Sequence, residues 1–226
     1  NPEIGILSDD FRNNILKKVL LEIDKFSCRE ANTIIVHSNS MKRTLQKRFR
    51  RRKLNIQIIN SLSVPFESNK INVTGKKSLE KSLKIIYAGN IGRFQGLENI
   101  IFTFNYLKKY NDIELTFLGD GVEKSRLKKI SEELKMNIKF KDYVPYQVSK
   151  KIISEADLGL VSLIPNMYKY AYPSKTMVYL EQGIPILALI EKESDLAKKI
   201  SQNNIGFVCS INKHESLAKL LINLYE

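Results

Sequence analysis

LKIIYAGNIGRFQGLENII, residues 83–101, decides how this chain is read. A largely apolar run with Ile85, Ile86 and Tyr87 at its centre extends from Leu83 to Ala88 and stops at Gly89. A turn carrying Gly92 and Gly96 follows, and Leu97, Ile100, Ile101 and Phe104 then recur at helical spacing. An apolar run, a glycine turn and an amphipathic helix make the repeating unit of a parallel sheet. The same alternation continues to the end of the chain. It predicts strands at 83–89, 113–119, 137–144, 157–163, 184–190 and 205–210. Helices are predicted between them at 96–110, 121–136, 146–156, 173–182 and 193–204, with a last one at 214–226.

Largely apolar strands separated by helices imply a sheet covered on both faces. The expected fold is α/β, a Rossmann-like doubly wound parallel sheet of about six strands with its ligand crevice at their carboxyl ends. Residues 1–65 fit less well. They read as a helix (10–30), a strand (33–37), a basic helix (39–52) and a second strand (55–60). So little structure buries too little to stand alone, so the segment reads as an incomplete amino-terminal α/β fragment, the tail of another domain. Its unpaired strand edges suggest self-association into a homo-oligomer. The polar stretch KINVTGKKSLEKS (70–82) reads as a linker, giving a division into 1–65, 66–83 and 84–226.

The chain has 226 residues and a net charge of +13. MKRTLQKRFRRRK (41–53) holds eight basic residues and no acid. Met41, Leu45 and Phe49 recur every four residues, so the expected element is an amphipathic helix with a basic outer face. Such a face is read here as attracted to an anionic membrane surface, at about 1 kcal/mol per basic residue. A merely solvated face is the plainer alternative. Nucleic-acid binding ranks last, because stacking aromatics are not interleaved with the charges. No apolar run approaches the ~18 residues that span a bilayer, and NPEIGILSDD (1–10) has no basic n-region of the signal-peptide kind. Cys28 and Cys209 read as buried thiols, and His37 and His214 are isolated, so no metal site is expected.

Three strand ends share a chemical theme. In YAGNIGRFQG (87–96), glycines keep the backbone thin and Arg93 projects, an arrangement that can bring N–H groups and a guanidinium to a phosphate. In LGDGVEKSRL (118–127), Asp120 is expected to cap a helix. In YPSKTMVYLEQGIP (172–185), Pro173 and Ser174 look like a helix start and Gly183 like its stop. Lys175 at that start opposes the helix dipole unless an anion is present.

The succession YAGNIGRFQGLENII, FLGDGVEKSRL, IKFKDYVPYQVSKKIISEADLGLVSL and YPSKTMVYLEQGIPILA resembles the carboxyl half of a GT-B fold glycosyltransferase of family 4. It is most similar to the bacterial surface-polysaccharide members of the N-acetylfucosamine transferase type. REANTIIVHSNSMKRTLQKRF and IQIINSLSVPFE look like the last elements of that family's acceptor-side domain. The resemblance implies that this half binds a nucleotide-sugar, UDP-linked or similar, for a retaining transfer without an obligatory metal or other cofactor. Gly89, Asn90 and Gly92 would place backbone N–H groups at the diphosphate, with Arg93 and Gln95 beside them. Ser174 and Lys175 would hold the distal phosphate and the sugar. Tyr143, Val144 and Pro145 would meet the base.

Two departures stand out. Where the family carries a glutamate for the ribose, five residues before the helix-ending glycine, this chain has Val178; its partner glutamate maps to Tyr170. Glu181, one turn on, is the candidate substitute. The acceptor-side domain is also largely missing, so a partner subunit or the remainder of that domain would be required, and no catalytic residue is assigned. The leading expectation is the donor half of an enzyme adding sugar to a lipid-linked or nascent surface saccharide, in the cytoplasm at the inner face of the membrane. The alternative is a degenerate, non-catalytic module binding a nucleotide or a partner.

Overall fold

The computed structural model describes residues 14–50, 53–59 and 82–226. Most of the expected linker (66–81), the start of the first helix (10–13) and Arg51 and Arg52 of the basic stretch lie outside the described residues. The chain enters through α1 (Asn14–Glu30), β1 (Ile34–Val36), α2 (Asn39–Arg48) and β2 (Ile56–Ile58). Then come β3 (Leu83–Ala88), α3 (Glu98–Phe104), β4 (Ile113–Leu118), α4 (Lys124–Glu133), β5 (Ile138–Lys141) and α5 (Tyr146–Ser154). The remainder is β6 (Leu158–Ser162), α6 (Lys175–Glu181), β7 (Ile186–Leu189), α7 (Asp195–Gln202), β8 (Gly206–Cys209) and α8 (His214–Tyr225).

The expected α/β architecture is present. Six parallel strands run in the order β5-β4-β3-β6-β7-β8. Chain order reverses between β3 and β6, the switch point at which open sheets of this kind form a crevice. Side-chain alternation splits the core into two layers. Ile85, Tyr87, Leu187 and Leu189 face a layer with α3, α4 and α8. Ile86, Ile186 and Ala188 face the other, with α5, α6 and α7. β6 and β7 are buried throughout, as interior parallel strands must be, whereas edge strand β5 exposes Lys139 and Lys141.

Two local expectations are corrected. The helix predicted over 96–110 ends at Phe104. Asn105, Tyr106 and Leu107 instead make i→i−3 bonds to Phe102, Thr103 and Phe104, which turns buried Leu107 back into the core. Asp120 is not a helix cap: its Oδ1 accepts from the Gly121 N–H at 2.8 Å, and α4 starts only at Lys124. Both cysteines are partly rather than fully buried.

The amino-terminal elements form a parallel pair, β1 with β2. Ser38 caps α2 by accepting from the Met41 N–H, and Phe49 at its end is buried. This segment is tied to the larger sheet through Asp195 at the start of α7. Its Oδ2 accepts from the Ser40 N–H at 2.6 Å, and Arg43 lies 3.7 Å from its other oxygen.

Gly119 and Gly183 both adopt positive φ, +140° and +69°. At Gly183 the space around an added Cβ is empty, whereas at Gly119 it would overlap the Gly89 carbonyl oxygen. Gly183→Ala is therefore expected to cost about 1–2 kcal/mol, the left-handed backbone alone. Gly119→Ala should cost clearly more, because backbone must also shift; urea midpoints of the two variants measure the difference.

Candidate functional site

The carboxyl ends of β3 and β4 are stitched together. The Gly89 N–H donates to Leu118 O at 2.9 Å and the Ile91 N–H to Asp120 O at 2.7 Å. The Tyr87 hydroxyl donates to Asn90 O at 2.6 Å and so holds the glycine loop down. Within that loop the Gly92 N–H donates to Gln95 Oε1 at 3.1 Å. This corrects one expectation: the N–H groups of Gly89 and Gly92 are engaged inside the protein and do not point at a ligand. What glycine supplies at 89 is a φ of +131°, which other residues rarely adopt; an added Cβ would meet Lys175 Cε only at an ordinary contact distance, 3.4 Å.

Lys175 enters this space from the first turn of α6. Its Nζ lies 3.7 Å from the centroid of the buried Tyr87 ring, a cation–π contact. Among the described residues no carboxylate pairs with it. Burial alone pushes its pKa down from 10.5 to about 7. Beneath it Tyr179, fully buried, accepts from the Ala88 N–H at 2.9 Å and approaches Leu160 O at 3.3 Å, locking α6 onto β3 and β6. Burial raises the pKa of both Tyr87 and Tyr179, so both hydroxyls stay neutral.

A pocket of about 200 Å³ opens beside the lysine. Five predicted residues meet there: Gly89, Tyr143, Val144, Lys175 and Val178. Pro145 and Ser174 adjoin the walls in sequence without forming them. Reading the sequence did not pick out Gly119 at the β4 end, nor Tyr146, Ser149 and Ile153, one face of α5. Their i, i+3, i+7 spacing is the signal that could have found the latter.

The other predicted residues stand apart. Arg93 is half-exposed, with its Nε 3.6 Å from Glu123, which also holds Arg126. It rises from the same end of the sheet but does not line the pocket. Asn90 and Gln95 serve loop geometry, Asn90 through its carbonyl and Gln95 through its amide oxygen. Ser174 makes no side-chain cap on α6. Glu181 is not a pocket wall; one oxygen receives a 2.7 Å bond from Lys150 and the other is buried without a hydrogen bond. A hollow of about 390 Å³ at the amino end of β4, near Tyr110 and Met136, contains none of the predicted residues. Among the described residues no cluster of three or more His, Cys, Asp or Glu is placed to hold a metal ion.

A parallel sheet with a cationic, glycine-lined pocket at its strand ends is a common design for holding phosphorylated ligands. Comparison with known families makes the class definite. The model of the family described as Glycosyl transferases group 1 matches residues 68–226, and the chain belongs to that family. Over 141 residues it is 29% identical to the probable glycosyltransferase WbjE of Pseudomonas aeruginosa, covering 62% of this chain and 35% of the relative. The chain thus spans about a third of that relative's length, 35%.

Among solved structures, sucrose-phosphate synthase from Thermosynechococcus elongatus superposes with a TM-score of 0.71 at 14% identity, over 97% of this chain and 56% of that one. TarM of S. aureus, in a complex with fondaparinux, alpha-GlcNAc-glycerol and UDP, superposes with a TM-score of 0.67 at 15% identity, over 88% of this chain and 38% of that one. At these identities the likeness shows the fold.

The lysine has a consequence for stability. Its pKa is near 7 folded and 10.5 in its ordinary state, so between those values the unfolded chain binds more protons. The stability penalty is complete below pH ~7 and fades as pH rises toward 10.5. Lys175→Met should therefore raise the melting temperature of the ligand-free protein at pH 7, and the gain should shrink at pH 9.5. Parallel thermal melts at the two pH values measure it.

Proposed function

We propose that this chain is the nucleotide-sugar donor-binding part of a retaining glycosyltransferase. The observation that carries the reading is Lys175, a partly buried ammonium at the strand ends with no carboxylate counterion among the described residues. A diphosphate entering beside Gly89 would supply that countercharge and recover the lost solvation. Tyr143 and Tyr146, with Val144 and Val178, would form the nucleoside wall of the same pocket. Arg93 would act at the outer edge, exchanging its contact with Glu123 for a phosphate oxygen. No metal is needed in this reading, since the cations are side chains.

The acceptor is proposed to be a lipid-linked or nascent surface saccharide, reached when an acceptor-side domain or partner subunit completes the cleft. Family membership and the likeness to WbjE support the class of reaction; the acceptor and the retaining outcome are ours. A non-catalytic nucleotide-binding module is the second reading, favoured by one observation: none of the residues lining the pocket is acidic.

Binding of UDP by calorimetry tests the central claim. Lys175→Met should weaken UDP about 10- to 100-fold, because hydrogen bonds to charged groups contribute about 1.5–3 kcal/mol, and should leave binding of uridine unchanged. Equal UDP affinity in the variant would remove the lysine from the site.

We further propose a peripheral position on the inner face of the membrane through 41–53. No helix among the described residues is long and apolar enough to cross a membrane. Arg48 is tied to Asp24 and Arg43 lies 3.7 Å from Asp195, while Lys47, Arg50 and Lys53 are exposed along the basic stretch. Replacing Lys47 and Arg50 by glutamine should weaken co-sedimentation with vesicles containing anionic lipid, an effect that 0.5 M salt should mimic in the unmodified protein.

A further inference from the structure

Resting on the donor-binding reading, we infer that the pocket does not read the ribose 2′-hydroxyl, so that 2′-deoxynucleoside diphosphates and their sugars bind at least as well as the ribose forms. The argument starts from Lys175, the charged group on which a diphosphate would centre. Along α6 the next side chain facing the pocket is Val178, three residues on and therefore about 4.5 Å further along the helix axis. That is roughly the step from a phosphate to the pentose bonded to it. A carboxylate there would accept from vicinal hydroxyls; Val178 offers two methyl groups. The next acid, Glu181, lies another turn on, outside the pocket wall and bonded to Lys150 at 2.7 Å.

The opposite wall offers little more. The Ser149 hydroxyl donates to Tyr146 O at 2.7 Å and keeps only a neutral acceptor, the Tyr146 phenol is 38% exposed and so bonds a ligand only in exchange for water, and Ile153 is apolar. From the strand ends, Gly119 O accepts from Lys124 Nζ at 2.9 Å, and the N–H groups of Gly89 and Gly119 are bonded to Leu118 O and Lys141 O. The Tyr179 hydroxyl is bonded to backbone. Tyr143 is 78% exposed, so a hydrogen bond to its hydroxyl replaces one to water and discriminates little. The pocket therefore presents mostly flat and branched apolar surface with neutral hydroxyls and no carboxylate to the nucleoside, and a single lysine to its phosphates.

Sites built to bond a hydroxyl reject the analogue lacking it by factors of about 10⁴–10⁵, because their own polar groups are left unpaired. Here no charged acceptor awaits the hydroxyl, and an apolar wall slightly disfavours burying it.

The test is calorimetric titration of the 226-residue chain with UDP and with 2′-deoxy-UDP, which differ only at that hydroxyl. Affinities within about threefold, or tighter binding of the deoxy form, support the inference. UDP favoured tenfold or more overturns it while leaving the donor reading intact. Binding of neither nucleotide overturns both. Val178→Glu and Val178→Gln complete the experiment. Each should move the ratio of the two affinities toward UDP by about fivefold or more, and a ratio unmoved in both counts against Val178 as the residue that sets it. Because the readout is a ratio within one protein, a loss of folded fraction does not mimic it.

Discussion

An ammonium group held 3.7 Å above a tyrosine ring, without a carboxylate partner among the described residues, is the constraint around which this end of the molecule is organised. Desolvating a lysine costs free energy, and a cation–π contact offsets only part of it. The surroundings make the position possible. Tyr87 is buried and pinned through its hydroxyl, so the ring cannot swing away. Gly89 adopts a φ that other residues rarely adopt, and Gly119 has no side chain to keep the two loops apart. Tyr179 ties α6, and with it the lysine, to two central strands. Each of these residues would be ordinary elsewhere; together they keep one lysine partly dehydrated near the point where the strand order reverses.

Charge elsewhere behaves differently. Arg93, Glu123, Arg126 and Glu98 form a partly exposed chain of ion pairs at the rim. Exposed pairs of this kind are worth little to stability and rearrange easily. A ligand phosphate could take Arg93 from Glu123 at small cost, whereas nothing among the described acids competes for Lys175. The basic helix α2 likewise turns Phe49 inward and anchors through Asp195, so its net charge is only partly available to a surface.

Much of the fold was legible in the residues. The apolar runs at 83–89 and 184–190 and the periodic helices between such runs signalled a doubly wound parallel sheet, because burial on both faces forces continuous apolar strands. The points that escaped were those governed by a partner far along the chain. Helix α3 stops early because Leu107 is needed in the core, and α4 starts late because Gly121 lies across the backbone of Ile91. Gly89, Tyr143, Val144, Lys175 and Val178 were found as candidates and do meet in one pocket, but the face of α5 that completes it was not identified.

Sequence alone determined the alternation of elements, the glycine turns at the strand ends and the presence of a lone lysine at a helix start, with Val178 where the resemblance leads one to expect a glutamate. Those are local properties, set by periodicity and by the chemistry of single residues. Only the tertiary structure decided that the loop N–H groups are already satisfied, that Arg93 is paired while Lys175 is not, and that Val178 rather than Glu181 faces the pocket. These depend on contacts such as that between Ala88 and Tyr179, 91 residues apart. Desolvation and hydrogen-bond satisfaction are fixed by what packs around a group in space, and neighbours in sequence do not specify it.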